Sequence, residues 1–154
     1  MLIAAVSLTS VALAVHVAAV VVAFGPLFAY PALLAAVRRA DPSALPAVYR
    51  AQHLVARRLI TPALPVTLIA GLYLAAQEHA FGHVWVVVPL VVLVLLMALH
   101  RFVLIRGYRR LARPGAEGEG AAPGDEVAAR VTHAELLAAA LVLVTIYVMA
   151  ARPF

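Results

Sequence analysis

Long apolar runs broken by short clusters of arginine set the pattern of this chain. A helix crosses a hydrocarbon core in about 20 apolar residues, and four runs meet that length: about 3–24, 59–77, 84–105 and 131–151. Lipid offers the backbone no hydrogen-bond partners, so each run is expected to satisfy its own N–H and C=O groups as an α-helix. The expected fold is all-α, a polytopic membrane protein with four transmembrane helices in an antiparallel bundle, forming a single domain over 1–154.

Breaks in the pattern refine this outline. The first run is longer than a bilayer needs, and Gly25-Pro26 and Pro31 mark where it is expected to bend before Arg38. It lacks the basic leader of a secretory signal, so it reads as a retained span. Asp41-Pro42-Ser43 reads as a helix start with proline in the first turn, which predicts a surface helix over 43–58 running into the second span. Thr61-Pro62-Ala63-Leu64-Pro65 places two prolines at the start of that span, and Gly71 allows a neighbouring helix to approach closely. The Gly-rich acidic stretch inside about 112–126 predicts a mobile cytoplasmic loop.

Charge supplies the orientation. All 12 cationic residues are arginine, and they cluster at 38–58 and 101–130, whereas the 77–83 connection has none. The positive-inside rule therefore predicts both arginine-bearing connections on the cytoplasmic side, with the N- and C-termini outside and Arg152 a minor exception. A formal charge of +5 would suggest nucleic acid in a soluble chain, but here topology accounts for it. The chain reads as a multi-pass protein of the bacterial inner membrane, with the lipid bilayer and either a second copy or a membrane-complex subunit as its partners. Without cysteine it has no disulfide or thiolate chemistry.

The histidines are the candidate chemistry, because an imidazole within a span is costly unless it finds a partner. His16 lies about 13 residues, or roughly 20 Å, into the first span, and His100 about 16 residues, or roughly 25 Å, into the third. These helices run in the same direction, so two inward imidazoles at similar depth would suit a b-type haem. The alternative makes His16 an interhelical hydrogen-bond partner and leaves His100 snorkelling beside Arg101. His133 is a second axial candidate or proton shuttle, or else part of a helix N-terminus capped by Thr132 or Asp125, with Glu135 complementing the dipole. His53 stands one turn before Arg57 and reads as interfacial. His79 and His83, spaced i, i+4, would bind a metal only on a helix, and Gly82 argues for a solvated loop. Tyr30, Tyr49, Tyr73, Trp85, Tyr108 and Tyr147 read as an interfacial aromatic belt.

Several of these residues together resemble a known family. His16, Phe28 and Pro31 have the spacing of the first span in the haem-containing protoporphyrinogen IX oxidases of the HemJ type and their actinobacterial integral membrane relatives. Arg57-Arg58, Thr61-Pro62-Ala63 and Gly71-Leu72-Tyr73-Leu74 are similar to the second span, His100 to the third-span histidine and Arg152-Pro153-Phe154 to the terminus. Two positions differ: Ala32 follows Pro31 where the family has arginine, and Thr132-His133-Ala134-Glu135 stands where it has an Asn-Glu pair.

The resemblance implies a four-helix membrane protein with haem b as cofactor and an oxidoreductase role. It implies His16 as one axial ligand, His100 or His133 as the other, and Arg57, Arg58 and Arg101 near the propionates. The other readings are a non-enzymatic membrane subunit or assembly module, and a copper-resistance-type metal transporter using His16, His79 and His83.

Overall fold

The computed structural model describes residues 7–113 and 123–151. Helix α1 (Leu8–Ala40) opens at Ser7, whose hydroxyl oxygen accepts the Ser10 N–H at 3.1 Å. Its 33 residues span about 50 Å, well beyond the roughly 30 Å hydrocarbon core. The helix runs unbroken through Pro26 and Pro31, the positions at which a bend is expected. In lipid a broken helix would expose backbone groups that nothing else could satisfy, which favours continuity.

Asp41 is extended and ends α1; its carboxylate accepts the Ser43 N–H at 3.0 Å and opens a short turn over Pro42–Ala44. Next come α2 (Leu45–Val55), α3 (Thr61–Gln77), α4 (Val84–Leu99), α5 (Ile105–Leu111) and α6 (Pro123–Ala151). A π-helical turn at Ala56–Ile60 joins α2 to α3, and another at His100–Leu104 joins α4 to α5. The result is four rods long and apolar enough to cross a membrane: Leu8–Ala40, Pro42–Gln77, Val84–Leu111 and Glu126–Ala151. No strand occurs among the described residues.

All four rods extend further at the arginine-rich end than their expected spans. The helix over 43–58 is no surface helix, since it buries Tyr49 and Gln52 within the bundle. The last rod is helical from Pro123, so Thr132 and Glu135 sit inside it rather than at its N-terminus. Most of the Gly-rich stretch, and Arg152-Pro153-Phe154, lie outside the described residues.

At the opposite end, α3 and α4 are joined by a hairpin over 78–83. Ala80 N–H bonds Ala75 O at 3.0 Å and His79 N–H bonds Ala76 O at 3.2 Å, a Schellman closure with His79 left-handed at φ 51°. Packing runs chiefly between α1 and α3, α4 and α6, and α2 and α5. The outer faces carry exposed Leu13, Val21, Ile69, Val91, Leu95 and Leu143. Their natural solvent is lipid, so the apolar surface that lipid covers leaves small residues such as Ala23, Ala56 and Ala138 for the helix contacts.

Candidate functional site

His16 is half-buried on α1 and turns its ring toward α3. Its Nδ1 lies 3.0 Å from the Thr67 carbonyl oxygen. A carbonyl only accepts, so Nδ1 carries the proton and Nε2 keeps the lone pair. Gly71, one turn further along α3, forms the seat: an added Cβ would stand 3.0 Å from His16 Cε1 and 3.3 Å from Nδ1. The close approach expected of Gly71 is thus made by a side chain, the imidazole.

Beside His16 is a cavity of about 110 Å³ between α1, α3, α4 and α6. Its walls are apolar apart from His16, Thr67 and Thr145. Leu72 and Ile146 line it and are also exposed on the outer surface, so the cavity opens toward lipid on their flank.

His100 has a different setting. It is 6% exposed, at the start of the second π-helical turn. Its Nε2 is 3.1 Å from Thr61 Oγ1, while that hydroxyl donates its single proton to Ala56 O at 2.8 Å. The ring must then donate through Nε2, leaving Nδ1 with the lone pair, the reverse of His16. This contact ties the two π-helical turns together. Pro62 has no N–H to offer Arg58 O, and Thr61 N–H bonds Ala56 O five residues back, which is how the first turn widens.

Paired axial imidazoles must face each other across one cavity. Here His16 meets α3 at Thr67 and Gly71, and His100 meets it at Thr61, roughly 9 Å nearer the arginine-rich end. His100 lines a separate cavity of about 10 Å³, and Phe24 and Leu96 line both cavities and divide them. The arrangement therefore fits a single imidazole donor at His16 and not a His16–His100 pair. His133 is exposed on α6 and lines neither cavity. Arg57 and Arg58 are exposed on the first π-helical turn, roughly 13 Å or more along the rod from Thr67.

His79 and His83 lie on the non-helical hairpin, so they lack the i, i+4 geometry of a helix. His79 Nδ1 folds back to Ala76 O at 3.2 Å, and the His83 ring lies 6.1 Å from Trp85. His53 is half-buried on α2. Among the described residues no group of three or more His, Asp or Glu side chains is arranged to hold a metal ion.

Residues that the sequence placed at membrane boundaries and at a helix N-terminus, together with Gln52, form the most deeply buried polar cluster among the described residues. Glu135 is 0% exposed, Tyr108 1%, Gln52 2%, Tyr49 4% and Tyr30 7%. Tyr108 donates to Glu135 Oε1 at 2.6 Å, and the Tyr30 and Tyr108 rings meet edge to face with centroids 6.1 Å apart. Arg38 reaches the Tyr49 hydroxyl at 3.5 Å. Tyr30, Tyr49 and Tyr108 are therefore core residues, because the rods outrun the expected spans and enclose positions that sequence length placed at a boundary. Tyr147 does face outward, at 71% exposure. The available signal was a lone acid, Glu135, three turns inside a helix that also carries Val131, Ala134 and Ala138 on the same face.

No curated protein and no solved structure matches the chain. The match that exists covers nearly the whole length and agrees with four membrane-crossing rods: over residues 10–153 the chain belongs to the family described as "Predicted integral membrane protein (DUF2269)".

Proposed function

We propose that this integral membrane protein binds a lipid-soluble, ring-bearing ligand beside His16, one that offers a hydroxyl of the quinol or phenol type to Nε2. The observation that carries this reading is the His16–Thr67 bond, which holds the ring in the tautomer whose acceptor nitrogen is left for the apolar cavity. The volume limits the ligand to a single ring, part of which must sit in the open flank: about 110 Å³ is somewhat smaller than the roughly 150 Å³ engineered cavity that admits benzene, and far below the several hundred Å³ of a pocket enclosing a larger ligand. A hydrocarbon tail would leave through the flank at Leu72 and Ile146 into the bilayer.

The test is binding of a short-chain quinol and its matching quinone to the full chain in lipid nanodiscs. The quinone has no hydroxyl to donate and presents a carbonyl to a lone pair. The expected result is quinol binding about tenfold tighter than quinone, equivalent to about 1.4 kcal/mol. In His16→Ala the preference disappears. Equal quinol and quinone binding, unchanged by His16→Ala, would overturn the reading and leave the cavity as an acyl-chain groove.

A second reading, b-type haem with a redox role, is favoured by one feature of the same bond. A ligating histidine commonly donates its second ring N–H to a carbonyl, as His16 does to Thr67. Bound haem would supply the redox chemistry, with His16 as its one protein ligand. The cavity volume and the distant Arg57 and Arg58 weigh against it. Expression with supplied haem, followed by oxidised and reduced spectra, separates the readings. On the haem reading a stoichiometric b-type spectrum is lost in His16→Ala and kept in His100→Ala and His133→Ala; a folded, colourless protein disposes of it.

A further inference from the structure

The buried cluster at the arginine-rich end has unmet hydrogen-bonding capacity. Tyr30 Oη, both Gln52 amide atoms and Glu135 Oε2 are buried with no partner among the described residues. They come from three elements, α1, α2 and α6, and α5 contributes Tyr108. Orphaned polar atoms in such number are rare in folded proteins, where buried groups find either protein or ordered water.

The donor and acceptor inventory narrows what fills the gap. Gln52 Nε2 can only donate, Gln52 Oε1 can only accept, and Tyr30 Oη can do either. A metal cation would satisfy the oxygens and leave Gln52 Nε2 unmet. A water accepts two hydrogen bonds and donates two, and buried waters typically make about three such bonds to groups of this kind. Water therefore answers all of the orphaned atoms, and a cation does not.

Charge narrows it further. Arg130 and Glu126 form an ion pair at 3.6 Å on the exposed surface, and among the described residues no ion pair involves Glu135. The side chains of the cluster are neutral: Tyr30 from α1, Gln52 and Tyr49 from α2, and Tyr108 from α5, which bonds Glu135; the Arg38 guanidinium meets the cluster at the Tyr49 hydroxyl, at 3.5 Å, and is itself exposed. His100 is beyond Tyr108, across the 10 Å³ cavity that both line. An ionised carboxylate with no cation, fully removed from water, carries a penalty of several kcal/mol, which a proton removes.

We infer that Glu135, Tyr108, Tyr30 and Gln52 form an intramembrane proton-binding site: the Glu135 carboxyl holds a proton that exchanges through bound water with the arginine-rich end of the bundle. Tyr108 fixes Oε1, so the exchangeable proton belongs on Oε2, which faces the unpartnered groups. The route outward follows one face of α2, from Gln52 to Tyr49 three residues earlier, and then the exposed Arg38. Exchange swaps a carboxyl proton for a water proton, so no net charge crosses the apolar interior. The site is independent of His16 and of whatever ligand occupies the other cavity.

Infrared difference spectroscopy on the full chain in lipid tests the site. At neutral pH the wild type should show the C=O stretch of a protonated carboxylic acid, absent in Glu135→Gln. In D₂O the band should shift, and Gln52→Leu should slow that shift several-fold. Tyr108→Phe removes the donor to Oε1 and should move the band to higher frequency, which assigns it even if Glu135→Gln does not fold. Carboxylate bands alone at neutral pH would overturn the proposal, as would a carboxyl band that D₂O leaves unmoved, since that acid would be sealed and structural.

Discussion

The two halves of the bundle treat polar side chains in opposite ways. Toward the 78–83 hairpin, one imidazole is held by one backbone carbonyl at the edge of an open apolar cavity. Toward the arginine-rich end, tyrosines, a glutamine and a glutamate are sealed among four elements, beside a cavity of about 10 Å³. The difference teaches where stability and recognition separate. His16 can be removed with little loss of packing, because its outer side borders a cavity already. Tyr108 and Glu135 cannot, because each is enclosed and each supports the other.

The largest effect should follow Tyr108→Ala, which removes a ring from the core and leaves Glu135 with no protein partner on either oxygen. We expect a loss of about 4 kcal/mol, read as a large fall in Tm in detergent. A change of less than about 1 kcal/mol would show that the arginine-rich half is as loosely held as the other.

Gly107→Ala should come next. A Cβ there would collide with Val131 on α6, itself 2% exposed, and overpacking of this kind costs about 1–3 kcal/mol. Val131→Ala in the same chain should restore much of the lost Tm by clearing the collision. Failure of that rescue would mean that α5 and α6 are positioned by something other than this contact.

Gly71→Ala sharpens the contrast from the other half. The new methyl would press on the His16 ring at 3.0 Å, so the imidazole must shift from Thr67. Stability should fall by about 1 kcal/mol, the worth of one hydrogen bond, while quinol binding should fall as far as in His16→Ala. A variant that binds normally would separate the Gly71 seat from recognition.

The smallest effect expected is a gain. His79 holds a left-handed conformation at φ 51°, which costs a residue with a side chain about 1 kcal/mol that glycine avoids. His79→Gly should raise Tm slightly and leave both sites unchanged. A fall would assign the His79 ring a role beyond closing the hairpin.

These comparisons also show how far the chain could be read before folding. Four apolar runs and the requirement for internal hydrogen bonding led directly to four helices, and Gly71 was legible as a place of close approach. His16 stood out because an imidazole inside a long apolar run has few uses. The reading of His16 and His100 as level neighbours did not anticipate their placement against different parts of α3. Depth counted along a sequence measures distance along one helix, whereas facing depends on the rotation and offset of two.

Glu135 is the clearest case. Near an arginine-rich boundary it resembled the acid of a helix N-terminus, and nothing local distinguished the two settings. Only the extension of α6 back to Pro123, and the convergence of Tyr30, Gln52 and Tyr108 from three other elements, buried it. Hydropathy and backbone hydrogen bonding act within each segment, so the spans, their helical state and the membrane setting follow from the residues alone. The tautomers of His16 and His100, the division between their cavities and the sealing of Glu135 depend on which groups from distant segments meet, and those contacts exist only once the rods have packed.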